Sequence, residues 1–397
     1  MPPGPWKLPL IGNIHQLVGS PPHHRLRDLA KKYGPLMHLQ LGESSIIVVS
    51  SAEIAEEVLK THGIIFANRP SLVSTKITTY DFKNIASAPY GNYWRQVQKI
   101  CTAELLSTSR VKSFRSIRDE ETSNLIKTIY SNEGGLPVNL SEKIFELTYA
   151  ITARAAFGKK CKDQQKYISI VMEMLLIASG FSIGDLFPSI GMLDMISGMK
   201  SKLEKLHQDK EAAQEQDRVL ENILDDHKER KRVTKTGQGK AKEDLVDVFL
   251  RLQHNDDLEF PLTNSIKSVI WFQEKTQIVV SKTRTIVNAW AIARDPKYWT
   301  EAEKFIPERF LGSPLNYKGT NFTYIPFGAG KRICPGIRFA IPNVELPLAQ
   351  LLYHFFWKLP NGMKEEDLNM TEAFGIGVRR KNGLMLIPIP YHPFLDI

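Results

Sequence analysis

The chain has 397 residues, of which 42% are hydrophobic and 24% charged, with 25 glycines and 23 prolines. This composition is typical of globular proteins, so it excludes a disordered, collagen-like or low-complexity chain, and the length allows two or three domains or one large one. The formal net charge of +9 suits an anionic membrane surface, an acidic protein or nucleic acid, and solubility alone explains it equally well.

The cysteines and the apolar stretches restrict the class of protein further. Cys101, Cys161 and Cys334 lie far apart in the sequence, which excludes a disulfide framework and indicates a reducing compartment or at least a fold that does not depend on disulfides. No run of about 18 uninterrupted apolar residues occurs, so we predict no transmembrane helix. Residues 1–5 contain three prolines and resemble a linker more than the start of a domain.

Local patterns predict the first elements of the chain. Residues 22–33 repeat apolar side chains at helical spacing and end at Gly34, which predicts a helix. Alternation in residues 36–41, followed by the β-branched run 46–49, predicts a hairpin. Ser50 and Glu53 have the spacing of a capping box, so a second helix is expected to begin there and end near residue 63.

From Trp94 onward most of the pattern is helical. Four side chains fall on one helical face (Trp94, Val97, Cys101 and Leu105), and residues 141–157 and 200–224 show similar spacing. The charge-rich stretch 225–243 carries acids as well as bases and lacks interleaved aromatic residues, so a solvated helix end and loop is favoured over a nucleic-acid-binding segment. The fold class predicted is mainly α with small β-sheets, α+β, and no nucleic-acid partner is expected.

The most informative segment is residues 327–336, Phe-Gly-Ala-Gly-Lys-Arg-Ile-Cys-Pro-Gly, here called the cysteine loop. A helical pattern follows it, with Val344, Leu348, Leu351 and Leu352 on one face. Cys334 therefore precedes a helix N-terminus, where unpaired N–H groups favour a thiolate, the ligand that a soft metal centre requires. The other residues of the loop suit the same purpose: glycines permit close approach of a flat group, Phe327 shields the sulfur and Arg332 pairs with an anion.

Two other glycine-rich motifs do not match this loop. A phosphate-binding Walker loop requires glycine where the chain has Ile325, and a dinucleotide fingerprint requires glycine where it has Ile333. A cysteine that is simply buried beside a helix cap is the plain structural alternative.

The pattern Phe-x-x-Gly-x-Arg-x-Cys-x-Gly resembles the haem-binding signature of the cytochrome P-450 family. The surrounding sequence is similar to plant microsomal members that oxidise terpenoids, phenolics and other secondary metabolites. Residues 2–6 resemble the family's proline hinge, residues 288–296 a late strand and loop, and Pro307–Phe310 the Pro-Glu-Arg-Phe motif. The resemblance covers nearly the whole chain and implies a single P-450-like domain over residues 1–397.

The resemblance also implies roles for individual residues. Cys334 would be the axial thiolate on the haem iron, and Arg332 would bind a haem propionate. Trp94 matches a tryptophan that also reaches a propionate, but the basic residue expected four positions later is Gln98, so that Arg95 or Lys99 would have to substitute. The remaining haem contacts implied are Phe327, Gly328, Gly330 and Gly336, and residues 72–84 and 374–376 match regions that line the substrate pocket.

Two segments of the family pattern have no counterpart. Residues 262–270 resemble the approach to the oxygen-activating helix with its Ala/Gly-Gly-x-Asp/Glu-Thr core, and residues 281–287 already resemble the strand that follows the later Glu-x-x-Arg helix. We therefore predict an internal deletion near residues 270–280 of roughly a hundred residues, or three to four helices. Glu-x-x-Arg occurs only at 215–218 and 229–232, before the gap, so Arg309 lacks its expected partners and apolar surfaces should be left uncovered.

The function implied is that of a haem-thiolate monooxygenase. Such an enzyme inserts one oxygen atom from O2 into a small lipophilic plant metabolite, a terpenoid or phenolic, with NADPH-derived electrons supplied by a reductase. Two alternatives stay open for this chain: a non-catalytic haem or hydrophobe binder, and an unstable truncated product. The resemblance to the plant microsomal members implies a place on the cytosolic face of the endoplasmic reticulum, where an anchor helix before the hinge holds them. This chain begins at the hinge without the anchor helix, so peripheral membrane association or a cytoplasmic location is expected.

Overall fold

The computed structural model describes residues 1–72, 75–76, 82–132, 135–160, 168, 183–189, 224–225, 227–229, 243–253, 277–280, 283–373 and 377–391. Several predicted features lie wholly or mostly outside these ranges: the helix at 200–224, the charged stretch 225–243, residues 262–270, and the pocket segments 72–84 and 374–376.

Within the described residues the main helices, in chain order, are α1 Pro22–Tyr33, α2 Ala52–Glu56, α3 Asn92–Ile100, α4 Thr108–Ser113, α5 Arg115–Tyr130, α6 Leu140–Phe157, α7 Ile183–Leu186, α8 Leu245–Gln253, α9 Ala289–Ile292 and α10 Ile337–His354. Two of them continue as single π-helical turns, α2 through Glu57–Thr61 and α3 through Cys101–Leu105. The strands are β1 Leu36–Leu41, β2 Ser44–Val49, β3 Val138–Asn139, β4 Gln277–Val280, β5 Thr283–Val287, β6 Phe355–Lys358, β7 Glu372–Ala373, β8 Arg379–Arg380 and β9 Met385–Pro390.

These strands form three small sheets, so the prediction of a mainly helical fold with small sheets is confirmed for the described residues. The first sheet has the order β1-β2-β5-β4, with β5 parallel to β2 and antiparallel to β4. The second has the order β3-β9-β6, and the third pairs β7 with β8. The hairpin predicted in the first fifty residues is the β1–β2 pair, in which Leu36 lies opposite Val49.

The chain divides into two compact units. Unit 1 comprises residues 1–95, 177–208 and 271–334 and contains the first sheet. Its core includes the buried faces of β1, β2 and α1, with Met37, Leu39 and Val48 almost fully removed from solvent. A second cluster packs α2 and its π-helical turn against residues 322–329, with Leu59, Phe322 and Ala329 among its members. Burial of these apolar side chains is the main stabilising term for both clusters.

Two local predictions for unit 1 need correction. The N-cap of α2 is Ser51, whose hydroxyl accepts from the Ile54 N–H at 3.4 Å, so the Ser50–Glu53 box does not form. The carboxylate of Glu53 instead binds Lys297 and Tyr298. The proline segment at the N-terminus is not a free linker, because the Pro3 carbonyl accepts from His38 N–H of β1 at 2.8 Å.

Unit 2 comprises residues 96–176, 209–270 and 335–397. Its described core is formed by α5, α6 and α10 with the second sheet, and includes Ile126, Ile129, Ile151, Leu351 and Phe355. The helix predicted at 141–157 is confirmed as α6. The predicted apolar face of α3 is also confirmed, since Trp94, Val97, Cys101 and Leu105 are all buried.

Helix α10, which follows the cysteine loop, is confirmed, but its predicted apolar face is divided. Leu351 is 4% exposed, whereas Val344, Leu348 and Leu352 are 61%, 53% and 64% exposed. The helix also contains Pro342 and Pro347 without ending at either of them. A helix that is apolar around most of its circumference is usually buried on all sides, so the exposed face of α10 has the composition of a buried one.

Candidate functional site

Short-range hydrogen bonds fix the backbone of the cysteine loop. Gly330–Arg332 forms one turn of 3-10 helix, closed by a bond from Ile333 N–H to the Gly330 carbonyl at 3.2 Å. The Cys334 N–H then donates to the Phe327 carbonyl at 3.0 Å. This bond draws the two ends of the loop together, and Cys334 is left half-buried three residues before α10 begins.

The two described cysteines differ in environment, and neither forms a disulfide. Cys101 is completely buried, and this burial raises the pKa of its thiol to about 12. A thiol in such surroundings stays neutral and inert. Cys334 is only partly buried, so its sulfur is not enclosed as that of Cys101 is.

The glycines of the loop allow backbone conformations and a backbone contact that a side chain would prevent. Gly328 and Gly330 have φ angles of +71° and +68°, a conformation that other residues adopt at a cost. A Cβ at Gly330 would lie 1.8 Å from the Leu59 carbonyl oxygen. The sequence predicted that a flat group approaches these glycines, but at Gly330 the close approach is that of the Leu59 backbone. Gly336 is the N-cap residue of α10.

Arg332 is held by three backbone carbonyls. Its Nε donates to the Ala67 carbonyl at 2.7 Å, and its two terminal nitrogens donate to Ala88 at 2.6 Å and to Ile85 at 3.5 Å. The planar fork of a guanidinium suits such a set of divergent acceptors. None of its hydrogen-bond partners within the described ranges is a carboxylate, so the charge of Arg332 is solvated by dipoles rather than neutralised.

Aromatic rings cover the same guanidinium. The carbon Cζ of Arg332 lies 4.3 Å from the centroid of the Trp94 ring and 5.9 Å from that of Tyr90. Trp94 is buried, and its Nε1 donates to the Ile85 carbonyl at 2.9 Å. The structure therefore brings Trp94 and Arg332 together, with the ring face of Trp94 on the cation and its N–H on the Ile85 carbonyl.

Arg95, the predicted substitute for a basic residue at position 98, has an exposed side chain. It hydrogen-bonds Asn92 and lies 5.9 Å from the Tyr90 ring centroid. Lys99 is also exposed. Arg95 thus shares one aromatic neighbour with Arg332 but does not bind the carbonyls that hold it.

Sequence reasoning missed Arg69, a second cation beside Arg332. Its Nε donates to the Ala86 carbonyl at 3.2 Å, and burial lowers its pKa to about 10. The pKa of Arg332 is lowered to about 9, first by burial and then by the charge of Arg69, with Tyr90 acting in the opposite direction. No motif contains Arg69. The sequence around Arg69 shows only that it precedes Pro70. The contact of Arg69 with Ala86 depends on the tertiary structure. We call Arg69, Arg332, Trp94 and Tyr90 the arginine cluster.

The chemistry of these donors fits a haem group. Cys334 offers a soft sulfur ligand of the kind that iron accepts, and the half-buried guanidinium of Arg332 would attract a carboxylate of a porphyrin. Phe327 is half-buried against Tyr317, with ring centroids 6.1 Å apart, on the residue whose carbonyl binds Cys334 N–H. The chemistry of Cys334, Arg332 and Phe327 is therefore compatible with a haem group.

Arg309 of the Pro-Glu-Arg-Phe motif is bound within its own loop. It donates to the carbonyls of Thr300, Glu301, Lys304 and Ile306 at 2.8 to 3.2 Å and lies over the Trp299 ring. These main-chain acceptors order the loop that leads to the cysteine loop.

Comparison with known proteins gives the family. The family model described as Cytochrome P450 matches residues 2–273 and 272–387. Cytochrome P450 71D11 of Lotus japonicus is 45% identical to this chain, and the match covers 99% of the chain and 96% of the relative. Tabersonine 6,7-epoxidase isoform 1 of Catharanthus roseus is 44% identical, with 98% and 91% covered. A zebra fish cytochrome P450 structure has the same fold, with a TM-score of 0.71 at 20% identity, over 94% of this chain and all of that one.

The chain belongs to the cytochrome P450 family, and its relatives are plant P450s of the secondary-metabolism type. The alignments with the Lotus and Catharanthus proteins span 476 and 470 positions, more than the 397 residues of this chain, so part of each relative has no counterpart here. Within the described ranges, no helix combines the length and the apolar character needed to cross a membrane.

Proposed function

We propose that this chain binds haem through Cys334 and acts as a P450 monooxygenase on a small lipophilic plant metabolite, a terpenoid or phenolic. The observation that carries the proposal is the geometry of the cysteine loop: the Cys334 N–H is bonded to the Phe327 carbonyl, and Arg332 of the same loop is held by carbonyls at 67, 85 and 88. Support also comes from relatives named as an oxygenase and as epoxidases.

Each residue of the site has a part in this proposal. Cys334 is the axial thiolate and the metal ligand, and Arg332 binds a propionate through whichever N–H groups its carbonyl acceptors leave. Phe327, Gly328, Gly330 and Gly336 shape the loop that presents the sulfur, and Trp94 supports Arg332 through its ring face. When bound, haem supplies an iron centre whose thiolate ligand favours cleavage of the O–O bond.

Partners and location belong to the same proposal. Electrons come from NADPH through an NADPH-cytochrome reductase, and the chain associates peripherally with the cytosolic face of the endoplasmic reticulum. Exposed apolar side chains in the first twenty residues, Trp6, Leu10 and Val18, support a surface association of this kind. We also propose that residues 1–397 form one P450-like domain. The segment that the relatives carry in addition is inferred to be missing near residues 270–280, where the two matches to the family model meet.

The test is the reduced, carbon-monoxide difference spectrum of the chain expressed with a supply of haem. We expect a strongly red-shifted Soret band, its loss in Cys334→Ala, and its retention in Cys101→Ala, which removes the buried thiol. A full-length relative is the positive control. No band from the unaltered chain with that control positive, or a band that persists in Cys334→Ala, would overturn the proposal.

A second candidate function is a haem binder without monooxygenase activity. It is favoured by one specific observation: the sequence contains no Ala/Gly-Gly-x-Asp/Glu-Thr segment, so the acid and hydroxyl that deliver protons to oxygen in the family have no counterpart. Turnover in the presence of NADPH and reductase separates the two candidates. A thiolate band without product formation supports the binder, and product formation supports the enzyme. Exposed apolar surface without bound haem would instead indicate an unstable truncated product.

A further inference from the structure

The π-helical turn that continues α2 leaves one buried carbonyl without an N–H donor. In a regular α-helix the N–H of Gly63 would donate to the carbonyl of Leu59, four residues earlier, but here it donates to the Lys60 carbonyl at 3.3 Å. Within the described part of the chain no N–H donates to the Leu59 carbonyl, although Leu59 is only 5% exposed. Buried carbonyls are usually paired, so the oxygen of Leu59 must be stabilised by other contacts.

Two glycines lie against this oxygen. A Cβ at Gly330 would lie 1.8 Å from it, and a Cβ at Gly63 would lie 2.5 Å from it, whereas Cβ atoms in proteins essentially never approach another heavy atom closer than 3.0 Å. Because a carbon–carbon single bond is about 1.5 Å long, the Cα of Gly330 lies at most about 3.3 Å from the oxygen, the distance of a Cα–H···O contact. The Leu59 oxygen is thus enclosed between Gly63 and the cysteine loop.

The position of Gly330 determines that of Cys334. The Gly330 carbonyl accepts from Ile333 N–H at 3.2 Å, and Cys334 N–H donates to the Phe327 carbonyl at 3.0 Å. These two bonds tie residues 327–334 into one short segment, so a displacement of Gly330 displaces Cys334 with it. The side chain of Leu59 belongs to the same apolar cluster as Ala329 of the loop.

We propose that the backbone carbonyl of Leu59 positions the thiolate of Cys334 by fixing where the cysteine loop lies. This inference rests on the haem binding proposed for Cys334. Leu59 is a positioning residue in this role, because it contacts the loop and not the reacting atoms. No motif of the sequence includes Leu59 or Gly63, whereas π-helical turns within helices are frequent at functional sites.

A small displacement of this carbonyl is enough to test the proposal. A methyl group at Gly63 can be accommodated only if the Leu59 oxygen or the backbone of residue 63 moves by about 0.5 Å, which is the tolerance within which functional groups must be held. Gly91→Ala is the matched control in the same unit: neither glycine has a positive φ, and no atom lies within 4 Å of the position of a Cβ at Gly91.

A third variant separates the position of the carbonyl from packing. Val58→Ala removes a buried side chain from the same π-helical turn and the same apolar cluster but leaves Leu59 and both glycines in place. The measurement is the reduced, carbon-monoxide difference spectrum, read as the ratio of the red-shifted thiolate band to the less shifted band of haem without a thiolate ligand. This ratio is taken within the haem-bound protein, so it does not depend on how much of the chain is folded.

We expect Gly63→Ala to lower this ratio at least about fivefold, because a ligand atom displaced by a few tenths of an ångström no longer matches the iron. Gly91→Ala should leave the ratio within about twofold of the unaltered chain. Val58→Ala should lower Tm and also leave the ratio within about twofold. If Gly63→Ala retains too little haem for a ratio, the alkylation rate of Cys334 in the folded, haem-free chain decides, measured by mass spectrometry of the Cys334 peptide. That rate should then differ at least about fivefold between Gly63→Ala and Gly91→Ala.

Three results overturn this inference, and they are distinguishable. A ratio, or in its absence an alkylation rate, that is the same in Gly63→Ala and Gly91→Ala would show that the Leu59 carbonyl does not position Cys334. A fall in Val58→Ala as large as that in Gly63→Ala would assign the π-helical turn a packing role only. Absence of the thiolate band from the unaltered chain would overturn the proposed function and this inference with it.

Discussion

The arginine cluster of unit 1 and helix α10 of unit 2 differ in how fully their side chains are contacted by the rest of the chain. The guanidinium of Arg332 donates to carbonyls within residues 67–88, and its aromatic neighbours lie in residues 90–94. Helix α10 packs one side in its own core but leaves Val344, Leu348 and Leu352 more than half exposed. One or two nearby backbone segments can supply all the hydrogen bonds that a polar side chain needs. An apolar helix face is removed from water only when another helix or sheet packs over its whole length.

Because this chain is shorter than its relatives, the contrast indicates which contacts a shortened chain keeps and which it loses. The residues that fix the cysteine loop and Arg332 are all present in the sequence, so the polar part of the site retains its contacts. The exposed face of α10 has the apolar composition of an interior, as the expected internal deletion would leave it. We infer that the arginine cluster tolerates the shortening of the chain better than the helical core does.

The largest effect is expected where the cysteine loop meets the backbone of residue 59. Gly330→Ala places a Cβ in contact with the Leu59 carbonyl and forces a non-glycine residue to φ +68°. We expect the free energy of unfolding to fall by about 2–5 kcal/mol, because the strain of the left-handed backbone conformation adds to the steric overlap with the carbonyl. Urea titration followed by tryptophan fluorescence measures it.

The control is Gly312→Ala in the same unit. Gly312 has the same φ of +68°, but no atom lies within 4 Å of the position that a methyl group would take there. This variant should lose only the conformational term, about 1–2 kcal/mol. Equal losses in the two variants would show that the close approach at residue 59 does not add to the cost of a side chain in the loop.

The second prediction compares neighbouring leucines on α10. Leu351→Ala removes a buried side chain from the core of unit 2 and should cost about 2–4 kcal/mol. Leu352→Ala removes an exposed one and should change stability by less than about 0.5 kcal/mol. Thermal unfolding measures both, and binding of a fluorescent apolar dye should fall in Leu352→Ala. A loss in Leu352→Ala as large as that in Leu351→Ala would mean that this face is covered in solution.

The same pair of leucines shows how far the sequence can predict this molecule. Periodicity placed the hairpin, α1, α6 and α10 correctly, because the repeat of apolar side chains is a local property. It placed Leu351 and Leu352 on one face without distinguishing them, since which side of an apolar helix is covered depends on the rest of the chain.

The site was predicted in a similarly uneven way. The resemblance predicted haem contacts by Cys334, Arg332 and Trp94, and the structure brings the last two into contact. Arg69 carries no local signal, because its contact with the Ala86 carbonyl depends on a fold that joins residues 67–69 to 85–88. The cap of α2 was misplaced by one residue, because Ser50 and Ser51 are equivalent in sequence and only the backbone decides which hydroxyl reaches Ile54.

The smallest expected effect lies on the surface of unit 1, where Glu53 binds Lys297 and Tyr298 instead of capping α2. Hydrogen bonds from Lys297 and then Tyr298 lower the pKa of Glu53 from 4.5 to about 2. A carboxyl whose pKa is depressed on folding stabilises the protein above its unfolded pKa, and this contribution is lost as the pH falls toward 2. Because these groups are exposed, Glu53→Gln should lower Tm by at most about 2–4 °C at pH 7 in low salt.

The pH dependence distinguishes this surface contact from the arginine cluster, which contains no carboxylate among its four residues. The difference in Tm between the unaltered chain and Glu53→Gln should be constant from pH 6 to pH 8, shrink between about pH 4.5 and 2, and weaken in 1 M salt. Lys297→Met should reproduce the same loss, and adding it to Glu53→Gln should cost little more. A difference that persists unchanged at pH 2.5 would show that the Glu53 side chain stabilises unit 1 through packing rather than charge.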